Sequence, residues 1–287
     1  DFNEFLQNKD GKWDYIDEDL MGLSHCESCV TIYLPEDAQG AETLQMVQEL
    51  LKRKKAADTE GKFGRLEAVL TGVKEEDWAN NWKQYFHQFY IDDILVIPSW
   101  ENIKPEDTDK MVLHIDPGTA FGTGMHETTQ LCIRQLRKFI TPETELLDVG
   151  TGSGILAILS LMFGAKHAVG TDLDICAVEA VAQNCEVNGI DPAQFDMMIG
   201  NIITDKEVQD KVGYECYDIV VANILADVLV PLTPVIVHQL KKGGIYITSG
   251  IIDDKEQTVV EAVKAAGLEV LEVTYQGEWV SVTARKN

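Results

Sequence analysis

From residue 111 onward the chain alternates short apolar runs with longer amphipathic stretches. Apolar runs of about four to eight residues, bounded by turn residues, read as buried strands. They fall at Glu145–Val149, His167–Thr171, Gln194–Ile199, Asp218–Ala222 and Gly244–Ser249, after a shorter strand over Val112–Ile115. Helical spacing covers Gly154–Phe163, Ile175–Asn188, Leu225–Gln239 and Lys255–Ala266, with one further helix starting near Glu127. Leu268–Tyr275 and Glu278–Ala284 flank Gln276-Gly277 and read as a closing hairpin. Strand and helix in alternation predict an α/β domain: five parallel strands plus a hairpin, with helices on both faces.

The first hundred residues follow a different rhythm. Val30–Leu34 reads as a strand ended by Pro35. Ala41–Lys55 reads as an amphipathic helix with Leu44, Val47, Leu50 and Leu51 on one face. Arg65–Val73 reads as a strand, and Asp77 opens a helix with Trp78, Trp82, Tyr85 and Phe86 at helical spacing. Ile94–Ile97 closes the set as a strand. This predicts a small α+β domain over 1–100, a polar linker over 101–110 containing Pro105, and an α/β domain over 111–287. Trp78 and Trp82 are expected in the core or at a domain interface.

Charge narrows the partners. The 48 acids and 24 basic residues give a net charge of -24, spread over both parts. A protein that grips nucleic acid through phosphates needs a basic surface, so direct nucleic-acid binding is not expected. The single dense basic run, Lys52-Arg-Lys-Lys55, sits at a predicted helix end, where cations favour the dipole. Such an acidic chain attracts a basic protein. No apolar run reaches membrane-spanning length and no signal-peptide pattern is present, so a cytoplasmic monomer is expected. The six scattered cysteines then read as reduced thiols. His25-Cys26-x-x-Cys29 has no second ligand pair at suitable spacing, so zinc is not expected there.

The densest chemistry lies in Asp148-Val-Gly-Thr-Gly-Ser-Gly154, a strand running into a glycine turn ahead of a buried helix, with Asp172 one helix and one strand later. Strand, glycine turn, helix, strand, acid is how a parallel α/β domain holds an adenosine cofactor, the acid taking the ribose hydroxyls. The dinucleotide fingerprint G-x-G-x-x-G fails at its third glycine, which is Ile155 here. Gly150, Gly152 and Gly154 instead run G-x-G-x-G behind Asp148, a setting for a ligand with a cationic amino-acid end. The cofactor expected is S-adenosylmethionine. Asp174 makes a D-x-D pair with Asp172; it reads as the cap of the next helix before it reads as half a metal site.

Asn223-Ile-Leu-Ala226 follows the fourth strand, at the sheet edge where ligands bind. A neutral asparagine can accept a hydrogen bond from an amine without holding its proton, whereas a carboxylate would raise the amine's pKa. The alternative is an asparagine helix cap, and both roles can hold together. The loop Phe121-Gly-Thr-Gly-Met-His-Glu-Thr-Thr129 carries glycines and hydroxyls able to close over a ligand. There Thr128 and Thr129 read either as cofactor contacts or as ordinary first-turn residues. His126 reads as a structural histidine before a general base, and Phe121 as a wall of an apolar amine pocket.

Ala120-Phe-Gly-Thr-Gly-Met-His-Glu-Thr-Thr129, Asp148-Val-Gly-Thr-Gly-Ser-Gly-Ile-Leu-Ala157 and Asn223-Ile-Leu-Ala226 together resemble the bacterial methyltransferases of ribosomal protein L11. Asp77-Trp-Ala-Asn-Asn-Trp-Lys83 and Ile97-Pro-Ser-Trp100 are similar to the same family's N-terminal part, so the likeness spans nearly the whole chain. The family usually has Pro where this chain has Glu127. The resemblance implies a seven-stranded class I, Rossmann-like methyltransferase domain behind a ferredoxin-like domain that recruits the substrate. On that basis Phe2, Phe5 and Leu6 end its first helix, and its first strand is missing from this sequence. It implies methylation of α-amine and lysine groups on a basic ribosomal protein of the large subunit, with Thr129, Gly150, Asp172 and Asn223 at cofactor-contacting positions. The runner-up is the same chemistry on another basic protein, an RNA or a small molecule.

Overall fold

The computed structural model describes residue 32 and residues 38–58, 65–70, 87–116 and 122–287. The expected strand Val30–Leu34, the helix from Asp77 with Trp78 and Trp82, the Cys26/Cys29 pair, Phe2, Phe5, Leu6 and Phe121 lie outside the described residues. The chain divides into two compact units, Asp1–Lys74 and Glu75–Asn287.

In the first unit, helix α1 spans Ala38–Ala57, three residues longer at its start than the spacing suggested. Leu44, Val47 and Leu51 are half-buried while Leu50 is exposed, because position 50 falls off the face the other three share. Lys54 and Lys55 occupy its last turn, as the charge pattern implied. Residues 65–70 form a turn and irregular chain rather than the start of a strand. Val69 and Leu70 are exposed there, and of the apolar residues in 65–70 only Leu66 is half-buried.

The second unit opens with a three-stranded sheet of β1 (Phe89–Ile91), β2 (Ile94–Ile97) and β3 (Met111–His114). β1 pairs antiparallel with β2, and β2 pairs parallel with β3. The segment 101–110 is therefore a crossover inside one sheet, and the boundary between units falls earlier, at Lys74/Glu75. Buried Asp107 anchors the crossover by accepting from the Tyr90 hydroxyl at 2.7 Å and pairing with Lys110 at 3.0 Å. β1 escapes sequence reading because three residues carry no detectable period.

Helix α2 (Glu127–Phe139) then leads into β4 (Glu145–Val149), α3 (Ile155–Met162), β5 (His167–Asp172), α4 (Cys176–Val187) and β6 (Phe195–Ile199). α5 (Lys206–Val212), β7 (Tyr217–Asn223), α6 (Ala226–Ile236), β8 (Leu240–Ile252), α7 (Glu256–Ala265), β9 (Leu268–Gln276) and β10 (Trp279–Lys286) complete the chain. α5 was not foreseen: its two apolar residues, Val208 and Val212, make too short a pattern, and its start rests on the Asp205 cap. The seven-stranded sheet runs β6-β5-β4-β7-β8-β10-β9. The first five strands are parallel, and β10 lies antiparallel between β8 and β9.

Period-two alternation assigns the two faces. Leu146 turns to a core shared with α2, α3 and the small sheet, through Ile133, Ile158, Ile94 and Leu113. Leu147 turns to the opposite core, with Leu229 of α6 and Val259 of α7. α3 is buried from Ile155 through Leu161, which explains its uninterrupted apolar run. Among the described residues no helix is long and apolar enough to cross a membrane.

Because Ile94 and Leu146 belong to one apolar cluster, Ile94→Ala and Leu146→Ala are each expected to cost about 2–5 kcal/mol. Urea denaturation should show a single transition shifted to a lower midpoint in both. An unshifted midpoint for Ile94→Ala would mean that the small sheet is not integral to this core.

Candidate functional site

The sheet reverses direction of growth at β4, whose neighbours are β5 and β7. Parallel α/β sheets bind ligands beyond the carboxyl ends of their strands at this point. The turn between β4 and α3 is held by the Thr171 carbonyl, which accepts from the N–H groups of Gly150 (2.8 Å) and Thr151 (3.0 Å). Gly150 has φ +73°, and a Cβ there would lie 2.7 Å from Ile224 Cγ2. Only glycine fits both constraints. Gly150 and Gly152 keep solvent-accessible backbone, whereas Gly154 is buried as the left-handed N-cap of α3.

Asp172 ends β5 and points back at this turn. Its Oδ2 accepts from the Gly152 N–H at 2.8 Å, and its Oδ1 from the Asp174 N–H at 3.0 Å. Each carboxylate oxygen keeps acceptor capacity, and the residue is half-exposed, so it can take a diol. Asp174 accepts from the Cys176 N–H at 2.9 Å, although the N-cap of the helix that follows is Ile175, which makes no side-chain bond. Among the described residues no group of three or more metal-ligating side chains occurs.

A dinucleotide would need the N-terminus of α3 for its pyrophosphate. That end is covered. The Ser153 hydroxyl is fully buried and donates to the Gly122 carbonyl at 2.7 Å. Ile155 packs so closely beneath Gly124 that a Cβ there would lie 2.6 Å from its Cδ1. The isoleucine that breaks the dinucleotide fingerprint is thus the residue that seats the 122–124 segment over the helix end.

This seating brings the start of α2 to the end of β7. Asn223 pairs with Ser249 of β8 and donates from Nδ2 to the Thr129 hydroxyl at 3.1 Å. It is not a helix cap: α6 is capped at Leu225, with no side-chain bond. Thr129 and Thr128 are both buried. The Thr128 Oγ1 lies 2.8 Å from His126 Nδ1, which also accepts from the Thr128 N–H and so caps α2. The His126 ring stands edge-on to Trp279, with centroids 4.7 Å apart. His126 is therefore structural, as expected.

Asp148 takes a different place from the one its position suggested. It is 1 % exposed, behind the glycine turn, rather than on the open crevice. Its Oδ2 accepts from the Thr151 hydroxyl at 2.8 Å, and its Oδ1 has no hydrogen-bond partner. Burial pushes its pKa up to about 7; Thr151 and the Ala157 backbone N–H pull the other way, and Asp172 adds to the rise. Two residues went unnoticed in the sequence, Leu173 and Asn201. Leu173 follows Asp172 and is 69 % exposed, and Asn201 follows Gly200, whose N–H donates to the Asp172 carbonyl at 2.9 Å. Their signal was available: each follows the carboxyl end of a parallel strand. A cavity of about 360 Å³, lined by Thr141, Asp218, Lys242 and Arg285, opens at the opposite edge and holds none of these residues.

Residues 4–287 match the sequence profile of the family described as ribosomal protein L11 methyltransferase (PrmA). The chain belongs to the ribosomal protein L11 methyltransferase family. Among its relatives is the ribosomal protein L11 methyltransferase of Agathobacter rectalis, 50% identical over 269 residues, covering 92% of this chain and 81% of that protein. That of Lachnospira eligens is 55% identical over 215 residues, covering 75% of this chain and 68% of that protein. The crystal structure of a ribosomal protein L11 methylase from Lactobacillus delbrueckii subsp. bulgaricus matches with a TM-score of 0.63 and 30% identity. That match covers 70% of this chain and 100% of that one. Of the positions the family resemblance implies, the structure gathers Gly150, Asp172, Thr129 and Asn223 around the ends of β4, β5 and β7.

The raised Asp148 pKa has a consequence for stability. An unfolded aspartate titrates near ~3.9, so between pH ~4 and about 7 the native state holds a proton that the unfolded state has lost. More protons bound in the native state means that stability falls as pH rises through this window. Asp148→Asn removes that dependence. Its urea midpoint relative to wild type should climb from pH 4 to 7 and then level; a constant difference across that range would refute the assignment.

Proposed function

We propose that this chain transfers methyl groups from S-adenosylmethionine to amino groups of ribosomal protein L11, both the α-amine and lysine side chains. The observation that carries the reading is the Asn223–Thr129 hydrogen bond, set at the carboxyl end of β7 beside a glycine turn whose helix end is closed to a pyrophosphate. S-adenosylmethionine supplies an electrophilic methyl group. Asp172 offers the acceptors for its ribose, the open backbone of Gly150 and Gly152 allows close approach, and Leu173 offers an apolar surface for its base. Asp148 acts from behind the turn, by fixing Thr151.

The attacking amine has to be neutral. At pH 7 a lysine with a pKa of ~10.4 costs about 4.6 kcal/mol to deprotonate, and an α-amine near ~7.8 about 1.1. Asn223 suits this requirement. Its Nδ2 is committed to Thr129, which leaves Oδ1 as the acceptor that can orient an amine without charge. Phe121 adds an apolar wall, and Thr128 holds the helix start that carries Thr129. The first unit, up to Lys74, recruits the substrate, and the protein works as a cytoplasmic monomer.

Two measurements test this reading. Calorimetry should show binding of S-adenosylmethionine and not of a nicotinamide dinucleotide, with Asp172→Ala weakening it by roughly 1.5–3 kcal/mol. Tight dinucleotide binding would overturn it.

Single-turnover transfer from labelled S-adenosylmethionine to purified ribosomal protein L11 tests the chemistry. Asn223→Ala should bind cofactor yet lose about 10²-fold or more in rate, as when an orienting group is lost. Asn223→Asp should be poor near neutral pH and recover in part as pH rises toward the amine's pKa, because its charge holds the amine protonated. An unchanged rate in Asn223→Ala, or a flat pH profile in Asn223→Asp, would remove Asn223 from the mechanism.

A further inference from the structure

Four segments meet in a closed circuit around Asn223. It bonds Thr129 of α2, and the His126 ring three residues earlier packs on Trp279. Trp279 pairs with Ile252 at the end of β8, and the Asp253 N–H donates to the Glu278 carbonyl at 2.9 Å. Lys255 then reaches Asp227 at the start of α6, 3.6 Å away, and Leu225 and Ile224 lead back to Asn223.

Two properties of this circuit are not used by the site itself. Its outward side chains include large apolar residues without cover: Leu225 is 69 % exposed, Met125 51 %, and Val228 and Ile252 are also exposed. Exposed apolar side chains grouped within a polar rim mark interaction surfaces. The charge beside them has one sign. Across residues 122–130, 223–228, 249–256 and 275–280 there are six acids and one lysine, Lys255, which is already paired with Asp227.

We propose that this strip, continuous with Asn223, is the docking surface for the polypeptide that flanks the target amine. It selects a segment with an apolar residue next to the modified lysine and basic residues beyond. Leu225, Ile252 and Met125 take the apolar contact, and Asp253, Asp254 and Glu278 take the cations. The inference rests on the methyltransferase reading of the site and adds its sequence preference. A polypeptide fits better than a nucleic acid because no cation on the strip is free to meet a phosphate.

Binding should be read first, because it does not depend on turnover. A fluorescein-labelled peptide carrying one lysine beside leucine and between arginines is titrated with the full chain by anisotropy, against a peptide with glutamates in place of the arginines. The arginine peptide should bind ~10-fold more tightly, a preference of the size steering charges give, and lose the advantage in ~1 M salt. Asp253→Lys with Asp254→Lys should abolish the preference, and Leu225→Ser should weaken both peptides. In turnover, the double variant should raise KM for the arginine peptide and for ribosomal protein L11 and leave kcat and cofactor affinity unchanged. A preference that survives the double variant, or equal binding of both peptides by wild type, overturns the proposal. Should wild type bind the arginine peptide selectively and methylate no ribosomal protein L11, the function reading fails while the docking strip stands.

Discussion

The site depends on the contact between the start of α3 and the 122–124 segment. Gly122 and Gly124 are tolerated there for a spatial reason: a Cβ at Gly122 would lie 2.7 Å from Ser153 Oγ, and one at Gly124 2.6 Å from Ile155. The gap is fixed by Ser153, which donates to the Gly122 carbonyl, and by Asn184 of α4, which donates to the Ser153 carbonyl at 2.8 Å. Asn184 in turn accepts from the Asp116 N–H at 3.0 Å, and Asp116 accepts from Ser99. Small sheet, loop, glycine turn and α4 therefore form one hydrogen-bonded unit. Removing Ser153 or Asn184, both fully buried, leaves a buried polar group unpaired, which costs more than the bond itself contributes.

That unit sets where α2 begins, and α2 carries the rest. His126 closes its first turn, Thr129 follows one turn later, and Asn223 is met across the sheet edge. On its outer face Arg134 chelates Asp92, Arg137 pairs with Asp93 and Lys138 with Glu272. These exposed pairs contribute little to stability one by one. Their position is more informative, since they join the β1–β2 turn and β9 to the helix that delivers Thr129. Positioning, rather than any reactive side chain, is what methyl transfer asks of the protein.

Much of this was legible in the sequence where the pattern was long or chemically specific. β4 was read with its observed bounds, because apolar alternation and the glycine turn agree. The segments that escaped, β1 and α5, are too short to carry a period. Part of the candidate site was legible. Glycines and acids at strand ends announce themselves, so the places of Gly150, Gly152, Asp172 and Asn223 at the ends of the strands could be read from the sequence. Burial across the fold does not: Thr128 and Thr129 were named from the sequence, but that both are buried depends on other elements whose arrival the local sequence does not encode. Asp148 could have been read better. It shares the face of Leu146, which looks into the core beneath α2, so an inward carboxylate follows from period two alone.

Charge presents the protein with two opposed demands. A chain with a net charge of -24 draws a basic protein, yet negative potential beside a lysine raises its pKa and works against the neutral amine that attack requires. The fold separates the two by exposure. Asp253, Asp254 and Glu278 lie on exposed turns, where water and salt screen them over about 8–10 Å. Nearer the reacting end stands Asn223, uncharged and tied to Thr129. Asp148, the acid closest to the turn in sequence, is sealed behind it and keeps a raised pKa. On the proposed reading attraction is left to surface charge, and orientation to the neutral amide of Asn223, which is half-buried and already tied to Thr129.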